Sequence, residues 1–231
     1  MATPTLSAVI LAGGQSQRMG TDKALLKAPD GTPLIARTIQ VARQLTEDVV
    51  VVEGAGDRYR SVLSSKLATQ KLATQTRFVP EQTAKGPLNG FALGRSQTDA
   101  DWCLLLACDL PYLESHPLQA WWAWLASSQA SHRAEASLAP RSNSKEIDRS
   151  ALQTSAAKKW EPLCGFYHRR SLPSLTHHLS SGNFALSTSR HPSFQGWLAG
   201  LSIAAYTAFP QSMLFNCNTP ADWAEAQRNI F

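Results

Sequence analysis

Residues 6–23 read LSAVILAGGQSQRMGTDK, an apolar run that leads into a glycine-containing loop with basic residues. The run from Leu6 to Leu11 has the composition of a buried β-strand. Gly13 and Gly14 permit positive φ angles and close approach of a ligand, so that free N–H groups of the loop can surround an anion. Arg18 and Lys23 add positive charge. The stretch predicts a nucleotide-phosphate loop between a strand and a helix.

Two widespread nucleotide fingerprints are missing from this loop. No Gly-Lys-Ser/Thr follows Gly14 at the Walker A distance, and the dinucleotide pattern G-x-G-x-x-G does not occur. The sequence therefore disfavours a P-loop NTPase and a Rossmann oxidoreductase. A plain glycine turn with two solvated bases is the remaining structural alternative.

Length and composition predict one globular domain over residues 1–231. The chain is 43% hydrophobic and 17% charged, with a net charge of +5. A positive balance suits nucleic acid or an anionic small substrate, and the absence of Lys/Arg runs favours the small substrate. Neither an apolar segment of about 20 residues nor a signal peptide is present, so no membrane association is expected.

The cysteine pattern predicts a cytoplasmic protein. Cys103, Cys108, Cys164 and Cys217 show no C-x-x-C spacing, and the first three lie in apolar runs typical of buried thiols. Unpaired thiols persist in a reducing compartment. The six histidines show no metal-ligand pairing, and no Ser/His/Asp arrangement is recognisable.

Strand and helix patterns alternate along the first half of the chain. Apolar positions over 33–45 recur at helical spacing, whereas 49–52, 77–79 and 102–107 are short strand-like runs. This order predicts an α/β fold with a doubly wound, mostly parallel sheet, whose ligand lies beyond the carboxyl ends of the strands. A strand over 161–168 and helices near 171–179, 194–199 and 219 onward are expected. Residues 140–160 are predicted to be a mobile loop.

Asp109 follows the apolar run 102–107 directly and is a candidate metal ligand. An aspartate at a strand end is equally typical of a turn or a helix cap. The nearby phosphate loop favours the metal, because Mg²⁺ travels with a triphosphate and prefers one or two carboxylates plus phosphate oxygens and water.

Two further segments contain candidate binding residues. In Lys85-Gly86-Pro87-Leu88-Asn89-Gly90, the proline and glycines suit either a rigid wall against a flat base or a plain β-turn. In the segment 215–222, Asn216 and Asn218 would share one face of an extended strand. Thr219, Pro220 and Asp222 fit a helix-capping box, which leaves the two asparagines unexplained.

The whole pattern resembles one family of nucleotidyltransferases, the molybdenum cofactor guanylyltransferases. Their loop reads close to LAGGxSxRMGxDKALL, which Leu11 to Leu26 matches, and their motifs G-P-L-x-G, A-C-D-x-P and N-x-N-T-P-x-D/E follow here in that order. The resemblance implies a single-domain, Rossmann-like three-layer sandwich of the nucleotide-diphospho-sugar transferase type. It also places an acidic guanine contact near Glu81, where the family usually has Asp.

The resemblance implies functional roles for individual residues of this chain. Lys23, Asp109 and Arg18 are the implied catalytic group, with Asp109 binding Mg²⁺. Nucleotide or pterin contacts are implied at Leu11, Ala12, Gly13, Gly14, Lys23, Glu81, Gly86, Pro87, Leu88, Gly90, Asp109, Asn216 and Asn218.

The implied reaction is transfer of GMP from GTP to the terminal phosphate of molybdopterin or Mo-molybdopterin, with release of pyrophosphate. Molybdoenzymes or other cofactor-biosynthesis proteins are the implied further partners. Two alternatives stay open at this point. One is a cytidylyltransferase that acts on molybdopterin or on a sugar or polyol phosphate, which the G-P-L-x-G turn disfavours. The other is an inactive nucleotide-binding regulator, which the intact Lys23 and Asp109 disfavour.

Overall fold

The computed structural model describes residues 3–12, 22–28, 30–54, 56–64, 67–83, 85–127, 133–140, 160–181 and 192–229. The strands in these ranges are β1 (Leu6–Leu11), β2 (Val49–Glu53), β3 (Arg77–Pro80), β4 (Trp102–Ala107), β5 (Ala136–Pro140), β6 (Trp160–His168) and β7 (Ile203–Ala205). The α-helices are α1 (Leu34–Arg43), α2 (Arg58–Ser64), α3 (Leu67–Thr74), α4 (Pro87–Arg95), α5 (Ser115–Ser127), α6 (Leu172–Ser180), α7 (Phe194–Leu198) and α8 (Pro220–Asn229).

The seven strands form one sheet in the order β3-β2-β1-β4-β6-β5-β7. The strands β3, β2, β1 and β4 are parallel, and β6 runs antiparallel between β4 and β5. Strand β7 is again parallel to β5. The predicted α/β class with a mostly parallel sheet is confirmed. The apolar runs did not predict that β6 is antiparallel. A strand that is buried on both faces has the same composition whether it runs parallel or antiparallel to its neighbours.

Helices cover both faces of the sheet, which produces three layers. In β1, Ala8 and Ile10 pack with α1, α2, α3 and α5, whereas Val9 and Leu11 pack with α4, α6 and α7. Successive side chains of a strand point to opposite faces, so an all-apolar strand is required when both faces are covered. The all-apolar runs of β1, β2 and β4 therefore identify the central strands.

Helix α4 approaches the sheet closely because it has glycines on its inner side. A Cβ atom at Gly94 would lie 2.5 Å from a methyl carbon of Val9 and 2.8 Å from one of Val52. Gly86, which precedes the helix, has φ of +93°. Glycine adopts that conformation without steric cost, so the chain can turn at Gly86 and α4 can begin at Pro87.

Several predicted elements are confirmed with small shifts at their ends. The helix expected over 33–45 spans Leu34–Arg43 with Pro33 as its N-cap, and the strand expected over 161–168 begins at Trp160. Strands β5 and β7 and helices α2, α3 and α4 were not predicted. The plain β-turn considered for 85–90 is wrong, because Pro87 to Gly90 form the first turn of α4. The loop expected over 140–160 lies, from 141 to 159, outside the described residues.

All four cysteines are buried, as predicted for Cys103, Cys108 and Cys164, and all four are free thiols. Across the described ranges, no helix combines the length and apolar character that a membrane span requires.

Candidate active site

Three segments distant in sequence meet beyond the carboxyl ends of β1 and β4. The Lys23 ammonium donates a hydrogen bond to Asn218 Oδ1 at 2.9 Å. The same nitrogen lies 3.6 Å from Asp109 Oδ2, and the two ion-paired side chains are 17% and 22% exposed. This partial enclosure strengthens the ion pair relative to a surface pair while leaving room for a ligand to reach both groups.

A short 3₁₀ turn, Lys23–Leu25, positions the lysine. Asp22 caps the turn by accepting a hydrogen bond from the Ala24 N–H at 3.1 Å. Its second carboxylate oxygen accepts a hydrogen bond from Arg58 at 2.8 Å. The Lys23 backbone is therefore held by an anchored residue immediately before it.

Tyr59 connects that anchor to the end of β1. Its hydroxyl oxygen lies 2.7 Å from the Ala12 carbonyl and 2.9 Å from Asp22 Oδ2, so its single proton is shared between two acceptors. Burial, and then the neighbouring Asp22 carboxylate, raise the pKa of the Tyr59 hydroxyl well above its usual range. The tyrosine therefore remains a neutral donor that fixes both ends of the stretch 12–22.

Burial raises the pKa of Asp109 above its ordinary value, and the Lys23 ammonium opposes this rise. The Asp109 carbonyl accepts a hydrogen bond from the Cys217 N–H at 3.0 Å, which joins the segment after β4 to the segment before α8. An additional cation near the carboxylate would favour its ionised form further.

The capping box predicted at the start of α8 is confirmed. The Asp222 carboxylate accepts hydrogen bonds from the Asn218 and Thr219 N–H groups at 2.8 and 2.7 Å, and Thr219 Oγ1 accepts one from the Asp222 N–H at 3.2 Å. These bonds fix the backbone of Asn218 beside Lys23. The prediction of an extended strand around Asn216 and Asn218 is wrong, because residues 215–218 have no regular secondary structure. The argument that the two side chains share one face of a strand therefore does not apply. Asn216 is half-buried and Asn218 is exposed.

A second group lies at the end of β3. A Cβ atom at Gly90 would be 3.9 Å from Glu81 Oε2 and 3.4 Å from Leu11 Cδ2, so the carboxylate faces the first turn of α4 beside the end of β1. The Lys85 N–H lies 3.5 Å from Glu81 Oε1. The side chain of Leu88 is fully buried in the core, so a ligand at this wall meets backbone rather than that side chain. Pro87 occupies the first position of the helix.

Gly13, Gly14 and Arg18 lie outside the described residues, and their predicted contacts stay predictions. Leu11 and Ala12 mark the end of β1, where the Ala12 N–H donates to the Val52 carbonyl at 2.9 Å. The sequence argument missed Tyr59 and Arg58. Their contacts with Asp22 cross more than 35 positions of the chain, and no local pattern reports them.

The donor set around Asp109 fits a magnesium ion. Asp109 Oδ2 and Asn218 Oδ1 already surround one cationic group, the Lys23 ammonium. One carboxylate with an amide oxygen matches the preference of Mg²⁺ for few protein ligands, completed by phosphate oxygens and water. Among the described residues, no group of three or more His, Cys, Asp or Glu side chains could hold a metal ion by itself.

Solved structures of other proteins share this architecture. A solved structure of molybdopterin-guanine dinucleotide biosynthesis protein A from Archaeoglobus fulgidus superposes with a TM-score of 0.64 at 17% identity, covering 96% of this chain and 97% of that one. A 4-diphosphocytidyl-2C-methyl-D-erythritol synthase from Anaerococcus prevotii gives 0.64 at 11% identity, with 99% and 96% covered. At such identities the likeness shows the nucleotide-diphospho-sugar transferase fold alone, as predicted.

Sequence comparison identifies the family within that fold. The model of the MobA-like NTP transferase domain matches residues 8–202. A protein of Synechococcus elongatus named "probable molybdenum cofactor guanylyltransferase" is 38% identical over 222 residues, which cover 96% of this chain and 97% of that protein. A molybdenum cofactor guanylyltransferase of Pseudomonas entomophila is 28% identical over 80% of this chain and 82% of that protein. The chain therefore belongs to the MobA-like NTP transferase family and, within it, to the molybdenum cofactor guanylyltransferases.

Proposed function

We propose that this chain transfers GMP from GTP to the terminal phosphate of molybdopterin or Mo-molybdopterin, with Mg²⁺ as the metal cofactor. The 38% identity to named guanylyltransferases over nearly the whole chain supports the substrates. The buried, free cysteines support a reducing, cytoplasmic setting. Molybdoenzymes or other cofactor-biosynthesis proteins would receive the product.

The observation that carries the proposal is the convergence of Lys23, Asp109 and Asn218. These residues come from three motifs far apart in the chain, and their polar atoms lie within 3.6 Å of one ammonium nitrogen. A lysine and a carboxylate at the end of parallel strands suit a triphosphate, since the cation binds phosphate oxygens directly and the carboxylate binds their metal ion. A packing role alone would not require partial exposure of both charges.

The transfer needs positioning and neutralisation of charge rather than a general base. An oxygen of the acceptor phosphate is already anionic and attacks the α-phosphorus of GTP. A new P–O–P linkage forms, the bond to the β-phosphate oxygen breaks, and pyrophosphate leaves with both electrons of that bond. Lys23 stabilises the charge that develops on the phosphate oxygens, and the fixed backbone of Asn218 orients the lysine.

Asp109, with Asn218 beside it, would hold the magnesium ion. When bound, Mg²⁺ neutralises phosphate charge and aligns the triphosphate. The carboxylate is prepared for a cation because its burial makes the isolated anion unfavourable.

Glu81 and the first turn of α4 are proposed to bind the guanine. A carboxylate can accept hydrogen bonds from the N1–H and the exocyclic amine of guanine, whereas the corresponding edge of cytosine has an unprotonated ring nitrogen. Gly86 and Gly90 let the base approach the backbone.

The proposal is tested by measuring pyrophosphate release with molybdopterin as acceptor and GTP, CTP, ATP or UTP as donor, with and without Mg²⁺. Thermal stabilisation by each nucleotide supplies an independent measure of affinity, because it grows as RT ln(1 + [L]/Kd). We expect release from GTP only, dependent on Mg²⁺. Selective use of CTP would instead assign a cytidylyltransferase and remove the role given to Glu81. Nucleotide binding without pyrophosphate release would indicate an inactive regulator.

A further inference from the structure

The Lys23 ammonium contacts the same two oxygen atoms that are proposed to bind Mg²⁺. It donates a hydrogen bond to Asn218 Oδ1 at 2.9 Å, and it lies 3.6 Å from Asp109 Oδ2. The protein's own cation and the metal ion therefore compete for one pair of oxygen ligands.

These ligands serve one of the two cations at a time. An oxygen that accepts a hydrogen bond from an ammonium offers it the same lone pairs that a metal ion requires, and Mg²⁺ demands near-ideal geometry around it. The side chains of Lys23 and Asp109 are only 17% and 22% exposed, so water screens the repulsion between two neighbouring cations poorly. Metal binding at Asp109 therefore requires the ammonium to move away.

Lys23 has no second carboxylate that could take it from Asp109. Asp22 precedes it in the chain, but Asp22 Oδ2 accepts a hydrogen bond from Arg58 at 2.8 Å and lies 2.9 Å from the Tyr59 hydroxyl oxygen. Within the described part of the chain, Asp109 is the one carboxylate in ion-pair contact with Lys23. An acceptor stronger than water must therefore come from a ligand.

The backbone on the oxygen side of the contact is fixed, whereas the lysine can move. The Asn218 N–H donates to Asp222 Oδ2 at 2.8 Å, and the Cys217 N–H donates to the Asp109 carbonyl at 3.0 Å. The two ligands are therefore held in place by bonds that do not involve the ammonium. A lysine has a flexible four-carbon stem and three donors that can rotate to new acceptors.

A nucleoside triphosphate supplies the acceptor that the lysine needs. Its phosphate oxygens are anionic and accept charge-assisted hydrogen bonds. We propose that Lys23 makes metal binding depend on the nucleotide. Without nucleotide the ammonium blocks Asp109 and Asn218, and with nucleotide it turns to the phosphates and leaves both oxygens to the metal ion. By linkage, metal and nucleotide then raise each other's affinity.

This inference rests on the proposed function, since it takes Asp109 and Asn218 as the metal ligands and a triphosphate as the donor substrate. It adds a second role for Lys23, which is to exclude the metal ion until the nucleotide is present. The protein then binds the metal together with its substrate rather than before it.

The first test is binding of Mn²⁺ to nucleotide-free protein. Mn²⁺ takes the same carboxylate, carbonyl and water ligands as Mg²⁺, and electron paramagnetic resonance reports its free concentration. Wild type is compared with Lys23→Met and Lys23→Gln, which both remove the charge, so that the test stands if one of them misfolds. Lys27→Met, at an exposed lysine, is the control for general charge. Asp109→Asn added to Lys23→Met shows where the metal binds.

We expect Mn²⁺ to bind about tenfold more tightly to both Lys23 variants than to wild type, within the roughly 5–150-fold range of coupled sites. Lys27→Met should stay within about twofold of wild type, because an isolated exposed charge contributes little. Asp109→Asn should abolish the gain.

Three outcomes overturn the inference. One is equal Mn²⁺ affinity in wild type and in the Lys23 variants, and another is no binding to those variants at millimolar Mn²⁺. The third is an equal gain in Lys27→Met, because general positive charge rather than shared ligands would then weaken metal binding.

A second measurement addresses the nucleotide side. GTP is titrated without an acceptor, once in EDTA and once in Mg²⁺, and the ratio of the two Kd values gives the coupling. We expect this ratio to be about tenfold smaller in Lys23→Met than in wild type. An unchanged ratio contradicts the inference.

Neither measurement requires transfer, so the inference and the proposed function fail separately. Pyrophosphate release by wild type with unchanged Mn²⁺ affinity in the Lys23 variants refutes the role of Lys23 and leaves the transferase. The expected Mn²⁺ affinities without pyrophosphate release from any acceptor keep the role of Lys23 and remove the transferase.

Discussion

Glu53 and Asp109 are carboxylates at the same edge of the sheet, one ending β2 and the other following β4. Burial raises the pKa of both. Glu53 is only 2% exposed, and its Oε2 accepts a hydrogen bond from the Tyr59 N–H at 3.2 Å. Asp109 retains 22% exposure of its side chain and pairs with Lys23.

The difference shows that burial and a raised pKa do not by themselves identify a functional carboxylate. Glu53 binds the first turn of α2, so its role is to fix a helix that carries Arg58 and Tyr59. Asp109 meets a cation from another segment while solvent still reaches it. The charged partner and the access of solvent distinguish the proposed metal ligand, Asp109, from the supporting carboxylate, Glu53.

The largest effect is expected for Asp109. Asp109→Ala should reduce pyrophosphate release by at least about 100-fold, because the phosphates lose the ligand that holds their metal ion. The thermal unfolding transition should remain cooperative, since the side chain is not part of the core. Asp99→Asn, an exposed aspartate before β4, is the control. Normal Mg²⁺-dependent turnover in Asp109→Ala would exclude the metal role.

Lys23→Ala should reduce kcat/KM for GTP by at least about tenfold, the scale of one lost charge-assisted contact. The matched control is Lys27→Ala, which removes an exposed lysine four residues further along the chain. Steady-state kinetics of both variants check this. An equal loss in both would mean that general positive charge, rather than the Lys23 ammonium, attracts the nucleotide.

The central strands could be predicted from the sequence because a strand that is buried on both faces is a continuous run of apolar residues. The runs 49–52 and 102–107 match β2 and β4 to within one residue. Strand β7, by contrast, is three residues long and half-exposed, and β5 reads Ala-Ser-Leu-Ala-Pro. Such segments become strands through their neighbours rather than through their own composition.

The candidate site also contains residues that the sequence predicted and residues that it did not. The strand-end positions of the glycine loop and of Asp109 predicted that Lys23 and Asp109 lie at one edge of the sheet, and the family resemblance implied that Asn218 belongs to the same site. In the structure the three side chains meet. Tyr59 lies on a helix that was not predicted, and its contacts with Ala12 and Asp22 are products of the tertiary fold. A residue such as Tyr59, which acts by fixing the backbone of a motif elsewhere in the chain, has no local sequence pattern that reports its role.

Tyr59→Phe tests whether the contacts of Tyr59 with Ala12 and Asp22 support the site. Loss of the hydroxyl removes a donor shared by the Ala12 carbonyl and Asp22, although Asp22 keeps its bonds from the Ala24 N–H and Arg58. The free energy of unfolding should fall by about 1 kcal/mol. Because Lys23 follows Asp22, the KM for GTP should rise severalfold while kcat changes less. Tyr206→Phe, a change after β7 on the other half of the sheet, is the control. A stability loss with unchanged KM would confine Tyr59 to a structural role.

The smallest effect is expected for Glu53→Gln, which should change the pH dependence of stability rather than the turnover. Burial holds the folded pKa of Glu53 above its ordinary value of 4.5, so between these two values the folded state binds more protons than the unfolded state. Wild-type stability relative to Glu53→Gln should therefore be greatest below about pH 4.5 and should fall as pH rises through the folded pKa. Denaturant unfolding of both proteins from pH 4 to 8 measures this difference.

The variant should also keep GTP turnover within about twofold of wild type, because glutamine can still accept from the Tyr59 N–H. The nearby Asp57 carboxylate contributes to the raised pKa of Glu53, so Asp57→Asn should weaken the pH dependence. A turnover loss in Glu53→Gln as large as that in Asp109→Ala would erase the distinction between the two carboxylates. Retained turnover with the expected pH dependence would establish that Glu53 supports α2 and takes no direct part in the transfer.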